Sequence, residues 1–239
     1  WFGFNPGSAL GFTGGLRDLA IVAAVNTLLA GAAGGLSSMF FMWWFGPSKK
    51  PDPAMSVNGI LAGLVAITAP CAFVDSWAAV VIGLIAGILV AAATFLLEKL
   101  HIDDPVGAAP VHMVNGAWGV LSVGLFANGN PLTVGWNGVA KPVTGLFYGG
   151  GAQIFAQLTE VTAIFITVFI CGLVFFKILN ALGILRSEPE DELAGLDLPE
   201  MGAAGYTNDD VVMHGGRIGP RFKGSTGALR SAATTILPH

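Results

Sequence analysis

The chain alternates between long apolar runs and short polar breaks. Five runs predict helices, and they cover about residues 19–45, 55–74, 77–97, 105–127 and 156–182. Each run is longer than the roughly 18 residues that mark a membrane-spanning helix. Residues 1–10 read as the end of a further spanning segment, broken at Asn5, Pro6 and Gly7. The pattern predicts an all-α polytopic membrane protein, and the chain reads as a piece of a longer one.

Basic residues beside the runs are unevenly shared between the two sides of the membrane. If the five runs alternate in direction, one side receives Lys49, Lys50, Lys99, Lys177 and Arg186. The other side receives Arg17 and Lys141. Because short cytoplasmic loops carry an excess of Lys and Arg, the first side is predicted to be cytoplasmic. We therefore expect a transmembrane region at residues 1–182 and a cytoplasmic tail at residues 183–239.

The composition agrees with a membrane protein. Hydrophobic residues make up 54% of the chain and charged residues 11%, and the mean hydropathy is +0.71. An ordinary soluble domain has about 25% charged residues, so that class is excluded. The net charge of −4 is small and scattered, which argues against a nucleic-acid partner.

Pairs of glycines spaced four residues apart recur in the first three runs. The pairs are Gly31 and Gly35, Gly59 and Gly63, and Gly83 and Gly87. Small residues at this spacing let helix backbones approach closely inside a membrane. The spacing predicts a compact bundle of these helices.

A histidine lies inside the fourth run. Asp104 and Pro105 suit the N-cap and the first helical position, so His112 is predicted to lie about 12 Å further along that helix. The hydrocarbon layer is about 30 Å thick, and ionisable groups at such depth usually line a pathway or a cavity. A neutral imidazole has one donor and one acceptor nitrogen, which suits the transfer of a proton or the binding of a small polar solute. A core histidine bonded to a neighbouring helix and a haem or metal ligand are the alternatives.

Three further polar or aromatic side chains are candidates for a binding site. Phe4 and Ser8 are four residues apart, and together they offer cation–π attraction and a hydrogen bond to a cation. An interfacial aromatic with a capping serine is the alternative for this pair. Thr68, in the middle of the second run next to an Ala-Pro step, is a candidate pore-lining hydroxyl at a kink. Trp118 and Trp136 are predicted to be packing or interface aromatics.

Three motifs occur together in a fixed order. They are WFGFNPGS at residues 1–8, GLVAITAPC at residues 63–71, and DDPVG at residues 103–107 followed by VH at 111–112. In combination they resemble the Amt/Mep/Rh ammonium transporters, most closely the bacterial Amt branch, over about residues 1–206. That family has eleven spanning helices in two inverted five-helix repeats plus a last helix, assembled as a homotrimer with one pore per subunit. The resemblance implies that this chain is the second half of that fold, from the end of helix 6 through helix 11, plus the cytoplasmic tail.

The resemblance also implies roles for individual residues. Ser8 corresponds to the serine of an outer ammonium recruitment site, and Phe4 to the inner of two stacked phenylalanines that gate the pore. His112 corresponds to the second of the family's twin pore histidines. The protein is then expected to recruit NH4+ outside the cell membrane and to conduct NH3, with a proton, through a hydrophobic pore. No cofactor and no enzymatic activity are expected.

Two positions depart from the family pattern. Asn115 stands where many relatives have cysteine. The tail keeps Gly-Leu-Asp at residues 195–197, but residues 200–206 lack the usual histidine and glutamate. This departure bears on whether a PII-type signal protein binds the cytoplasmic tail. The rival functions are an ammonium sensor that reports pore occupancy through the tail, and a membrane redox subunit with His112 as a haem ligand.

Overall fold

The structure, a computed structural model, describes residues 1–203. Its α-helices are α1 Gly14–Phe45, α2 Pro53–Thr68, α3 Ser76–Lys99, α4 Asn115–Phe126, α5 Gln153–Ala181 and α6 Pro189–Ala194. A π-helical segment, Ala109–Val114, runs directly into α4. The chain divides into two compact units, Trp1–Cys171 and Gly172–His239. The predicted tail extends to residue 239. Its residues 204–239, which include the end of the 200–206 stretch that departs from the family pattern, lie outside the described residues.

The predicted apolar runs are confirmed as helices, with two corrections of length. Within residues 1–203, the helices α1, α3 and α5 have 32, 24 and 29 residues and are long and apolar enough to span a membrane. The helix α2 has only 16 residues, and α4 has 12 after the 6 of the π-helical segment. The expectation of more than about 18 helical residues is wrong for α2, because helices usually end before the residue that precedes a proline, here Pro70.

The fourth helix begins later than predicted. Asp104 does cap it, because its two carboxylate oxygens accept the N–H groups of Ala108 and Ala109, each at 2.8 Å. Pro105, however, lies in a turn and not at the first helical position, and helical backbone begins only at Ala108. At 1.5 Å per residue, His112 is therefore about 6 Å from the helix start, and the predicted 12 Å is wrong.

The helix α1 packs against both α2 and α3 through its backbone. The carbonyl oxygen of Ala30 faces Gly63 on α2 and Gly83 on α3, and a Cβ on either glycine would overlap that oxygen, inside the 3.0 Å that real Cβ contacts respect. One turn later, the Gly34 carbonyl is flanked in the same way by the other glycine of each pair, Gly59 on α2 and Gly87 on α3. The predicted close packing of the glycine-bearing helices is confirmed.

On α1 itself, the residues in backbone contact differ by one position from the predicted pair. A Cβ on Gly31 would meet the side chain of Leu64 at 2.9 Å, and one on Gly35 would meet Ile60 at 2.6 Å. These neighbours are flexible side chains, whereas the neighbours at Ala30 and Gly34 are backbone atoms. The rigid part of the interface therefore lies beside the predicted glycines.

The segment between α2 and α3 is not helical, and side-chain amides satisfy its carbonyls. Asn26 of α1 is 1% exposed, and its Nδ2 donates to the carbonyls of Cys71 and Val74, both at 2.9 Å. The amide of Asn130 donates to the carbonyl of Ala72 at 3.0 Å. An unpaired backbone group costs several kcal/mol in an apolar environment, so these amides replace the missing helical bonds.

Asp75 joins the loops on this side of the bundle. Its carboxylate accepts hydrogen bonds from Asn128 Nδ2 at 2.7 Å and from the Tyr148 hydroxyl at 2.6 Å. The adjacent Ser76 Oγ donates to Asn26 Oδ1 at 3.0 Å. The hydrogen bond to Asp75 is the main reason that the pKa of Tyr148 is raised above 10.0, its ordinary value. The loop after α4 is thus tied to the start of α3 and, through Asn26, to α1.

The described part of the second unit, residues 172–203, is held by polar contacts. Arg186 donates two hydrogen bonds from one nitrogen to the carboxylate of Glu192, at 2.6 and 2.8 Å. Ser187 Oγ donates to Glu200 Oε1 at 2.9 Å. Because the first pair is largely exposed, it stabilises this unit by no more than about 1 kcal/mol.

Candidate functional site

Three of the four predicted site residues line one small cavity. Phe4, Ser8 and Thr68 contribute to a space of about 70 Å³, which is also lined by Phe73 and Trp136. The structure brings them together because the first turn of the chain packs against α1 and the end of α2. We call this space the outer cavity, because it lies on the side opposite Lys49 and Lys50, a side that the sequence predicts to face away from the cytoplasm.

A single helical turn places Phe4 and Ser8 in the same cavity, although Asn5, Pro6 and Gly7 intervene. The backbone N–H of Ser8 donates to the Phe4 carbonyl at 3.0 Å. The buried Asn5 side chain anchors the turn by donating to Thr27 Oγ1 of α1 at 2.9 Å. The four-residue spacing therefore places Phe4 and Ser8 on the same side, as it would in a longer helix.

The hydroxyl of Ser8 is arranged as an acceptor. Its Oγ donates to the Phe4 carbonyl at 2.7 Å, so its own proton is already used. The lone pairs of the oxygen remain available to a group that only donates hydrogen bonds. The residue Phe4 is 62% exposed, so its ring is accessible to a cation. Together they offer what a small hydrogen-bonding cation requires.

Thr68 lines the outer cavity and also holds a neighbouring side chain. Its hydroxyl accepts a hydrogen bond from Trp1 Nε1 at 2.9 Å and donates one to the Leu64 carbonyl at 2.8 Å. Thr68 thereby fixes the Trp1 indole beside the outer cavity, where the Trp1 and Phe4 ring centroids are 6.3 Å apart. The part played by Trp1 was not predicted. The sequence did hold a signal for this contact, because the indole N–H of a tryptophan in an apolar stretch needs a hydrogen-bond acceptor.

Trp118 and Trp136 pack against the bundle as predicted. Trp118 donates from Nε1 to the Ile82 carbonyl of α3 at 3.1 Å. Trp136 packs against Phe73 with ring centroids 6.0 Å apart, and it also lines the outer cavity. Within residues 1–203, its buried Nε1 has no hydrogen-bond partner.

His112 lies apart from the other three candidates. Its exposed side chain lines a second cavity of about 540 Å³ between α4 and the first-unit part of α5. The other lining groups are apolar and include Met113, Phe165 and Phe169. No residue in the described range 1–203 makes a hydrogen bond to the imidazole ring. The ring is therefore available to a solute in this cavity.

The backbone that carries His112 is a π-helical turn, which was not predicted. Single π turns inside α-helices are rare and are frequent at functional sites. At its end, the fully buried Asn115 donates from Nδ2 to the Pro110 carbonyl at 2.9 Å. Its Oδ1 is also buried and has no partner among residues 1–203. The sequence signal that could have indicated this turn is an asparagine five positions after a proline, inside an apolar run.

The described residues, 1–203, contain no group of three or more His, Cys, Asp or Glu side chains suited to hold a metal ion. A cluster of carboxylates does line a cavity between the end of α3 and the start of the fourth helix, with Glu98, Asp103 and Asp104 among its lining residues. The Asp104 oxygens there are already used as helix caps.

Apolar spanning helices packed through glycine, without strands in the described residues 1–203, define an all-α polytopic membrane protein fold. The family model described as "Ammonium Transporter Family" matches residues 1–206. The chain belongs to this family.

Relatives and solved structures agree with this membership. The chain is 43% identical over 210 residues to "Ammonium transporter Amt2" of Archaeoglobus fulgidus, covering 87% of this chain and 43% of that protein. It is 37% identical over 207 residues to "Ammonium transporter" of Bacillus subtilis, covering 86% and 48%. Among solved structures, Saccharomyces cerevisiae Mep2 superimposes with a TM-score of 0.71 at 30% identity, covering 80% and 42%. A structure described as "Sensor Amt Protein" gives 0.69 at 35% identity, covering 84% and 45%. The chain thus spans less than half the length of these proteins.

Proposed function

We propose that the protein transports ammonium across the cell membrane. The observation that carries this proposal is the outer cavity, where an acceptor-only hydroxyl on Ser8 lies beside the accessible ring of Phe4. An ammonium ion donates hydrogen bonds in every direction and accepts none, so it is matched by an oxygen whose proton is already used. Family membership over residues 1–206 supports the same substrate.

Selectivity follows from the cost of dehydrating an ion. Moving a bare cation into an apolar space is expensive, whereas a small neutral molecule enters it readily. Ammonium gives up a proton and becomes neutral ammonia, but a potassium ion has no proton to give. The second cavity, apolar except for His112, suits the neutral species. We assign to His112 the transfer of the proton or the binding of ammonia along this path.

The remaining features of the proposal concern assembly and orientation. We propose a homotrimer in the cell membrane, with the ends at Lys49 and Lys99 and the C-terminal tail in the cytoplasm. Lys49 supports placing this end of α1 at a membrane interface, because it donates to the Trp44 carbonyl at 2.7 Å beside the exposed Trp44 ring, and the excess of lysines at this end favours the cytoplasmic side. Lysine and tryptophan together are typical of a membrane interface. A PII-type signal protein at the tail remains a candidate partner.

A sensor is the second candidate function. The description "Sensor Amt Protein" of one structural neighbour favours keeping it. A sensor would use the same outer cavity and report its occupancy through the tail. The two functions differ in the ammonium flux that they carry. A transporter moves ammonium across the membrane continuously, whereas a sensor needs only to bind it. The family match favours transport over the redox alternative, in which His112 would bind a haem.

The test uses the intact protein reconstituted in vesicles and measures ammonium-dependent current against concentration. A hydrogen bond to a charged group contributes about 1.5–3 kcal/mol, but water would replace part of it, so we expect Ser8→Ala to raise the half-saturation concentration about tenfold. The maximal current should change much less. Ser56→Ala is a matched control, because Ser56 Oγ also donates to the carbonyl four residues earlier, at 2.6 Å, at the other end of the bundle. An unchanged half-saturation concentration in Ser8→Ala would remove the outer cavity from the proposal.

A further inference from the structure

The π-helical segment that carries His112 is held at its start by a side chain. Asp104 caps the N–H groups of Ala108 and Ala109, each at 2.8 Å. Asn58 of α2 donates to the Val106 carbonyl at 3.1 Å, which ties the preceding turn to the bundle. The entry to the segment is therefore fixed in position relative to α2.

Asn115 holds the other end of the segment twice. Its backbone N–H bonds to the His112 carbonyl, and its side-chain Nδ2 donates to the Pro110 carbonyl at 2.9 Å. In a π-helix an N–H pairs with the carbonyl five residues earlier and not four, so the return to α-helix leaves a carbonyl without a backbone donor. The Asn115 amide supplies a donor at this junction. The opposite amide orientation would set two oxygens against each other, so the hydrogen bond fixes which atom is Nδ2.

The buried Asn115 amide lowers the stability of the fold. Asn115 is 0% exposed, and its Oδ1 has no partner among residues 1–203. A buried acceptor without a partner costs about 1–3 kcal/mol, and asparagine is also a poor helix former. Polar groups that break local rules in this way are expected at functional sites.

From this geometry we propose that Asn115 is a positioning residue for His112. Its amide keeps the turn in the π conformation and so sets the direction in which the imidazole enters the apolar cavity. The inference rests on the proposed transport function, in which His112 acts on ammonia or its proton. Without the amide, the turn can rewind toward an α-helix, and His112 would rotate about the helix axis away from its present direction.

The test compares Asn115→Leu with Asn115→Gln in the intact protein. Leucine keeps the branched shape and the four side-chain heavy atoms and removes the amide, while glutamine keeps the amide. We expect Asn115→Leu to lower the maximal ammonium current about tenfold, because small misplacements of a reacting group cost large factors in rate. The half-saturation concentration should change less than about twofold, because the outer cavity is untouched. Glutamine should restore part of the current.

Two further measurements separate positioning from a structural role. The thermal midpoint of Asn115→Leu should equal or exceed that of the wild type, because the unpaired Oδ1 is removed. The NMR signals of 15N-labelled histidine, assigned with His112→Ala, should shift for His112. Ser122→Ala is the matched control, since Ser122 is another buried polar side chain of α4, and its hydroxyl donates to the Trp118 carbonyl at 2.8 Å. It should leave the His112 signals and the current unchanged.

The outcomes are distinct. If Asn115→Leu keeps the wild-type current and the wild-type His112 signals, the positioning role is wrong while the transport function stands. A lower midpoint with unshifted His112 signals would also overturn it. If Asn115→Leu does not assemble, Asn115→Ala is measured in the same way and decides by the same criteria. If the wild-type protein carries no ammonium current, the proposed function itself fails, and the NMR comparison still tests whether Asn115 orients His112.

Discussion

Replacing Gly63 by alanine would test the backbone contact between α1 and α2. The added Cβ would overlap the carbonyl oxygen of Ala30, which is a backbone atom and cannot turn aside as a side chain can. The two helices must therefore move apart. Because non-bonded atoms prefer separations of about 3.5 Å, the movement needed is about 1 Å. It would also loosen the neighbouring contact at the Gly34 carbonyl, one turn away.

The expected loss of stability is substantial for one methyl group. Overpacking in a close-packed interior costs about 1–3 kcal/mol, and a rigid neighbour places Gly63→Ala in the upper part of that range. For a chain of this size, 1 kcal/mol shifts the thermal midpoint by about 2–4 °C. Because this shift falls as a protein becomes larger and the relatives are about twice as long as this chain, we expect Gly63→Ala to lower the midpoint of the intact protein in detergent by about 2–6 °C, measured by tryptophan fluorescence on heating.

Gly172→Ala is the matched control for this measurement. Gly172 is also a glycine inside a spanning helix, but a Cβ there meets nothing within 4 Å. Alanine is the better helix former by about 0.5–1 kcal/mol, so this variant should be as stable as the wild type or more so. Equal midpoints for Gly63→Ala and Gly172→Ala would refute the reasoning that a backbone contact holds α1 in place.

Two predictions concern groups that titrate or carry protons. In the intact protein, His112→Ala should leave assembly nearly unchanged and lower the ammonium current strongly, whereas Met113→Ala, which removes another lining side chain of the same cavity, should lower it far less. A wild-type current in His112→Ala would make the histidine structural. The hydrogen bond from Tyr148 to Asp75 requires the protonated phenol, and the pKa of Tyr148 is raised from 10.0, so this contact is present below pH 10 and is lost as the pH rises through the raised pKa. The difference in absorbance at about 295 nm between the wild type and Tyr148→Phe should therefore titrate above pH 10. Asp75→Asn should lower the midpoint of this titration. Equal midpoints with and without the Asp75 carboxylate would contradict the hydrogen bond as the cause of the raised pKa.

The helices could be predicted from the sequence because apolar runs and their breakers are local signals. The close packing was equally visible, since glycines four residues apart leave room for a neighbouring backbone. The cap at Asp104 was predicted for the right residue, but the helix start was misplaced because a proline suits a turn as well as a first helical position. Local signals therefore located the elements and left their ends uncertain by a few residues.

The site was predicted less completely, for reasons that depend on distance along the chain. The grouping of Phe4 with Ser8 follows from their spacing. The bond between Trp1 and Thr68 joins residues 67 positions apart, and no local pattern encodes such a pairing. The π turn before Asn115 was not predicted, because the period of 3.6 residues by which helices are recognised in a sequence describes α-helices. One extra residue in a turn does not show in a run that is apolar on nearly all sides.

The contacts around Asn26 limit how the first three helices can move. One buried side chain of α1 holds the two carbonyls before α3 and accepts a hydrogen bond from Ser76, while glycine contacts fix the same helices further along. Sliding α1 by one turn, about 5.4 Å, would break all of these contacts at once. The three helices are thus expected to behave as one rigid body during turnover. In the proposed transport function, passage of a solute beside these helices would then depend on rotation of side chains such as Phe4 or on movement of the three helices together, and not on sliding of one helix past the others.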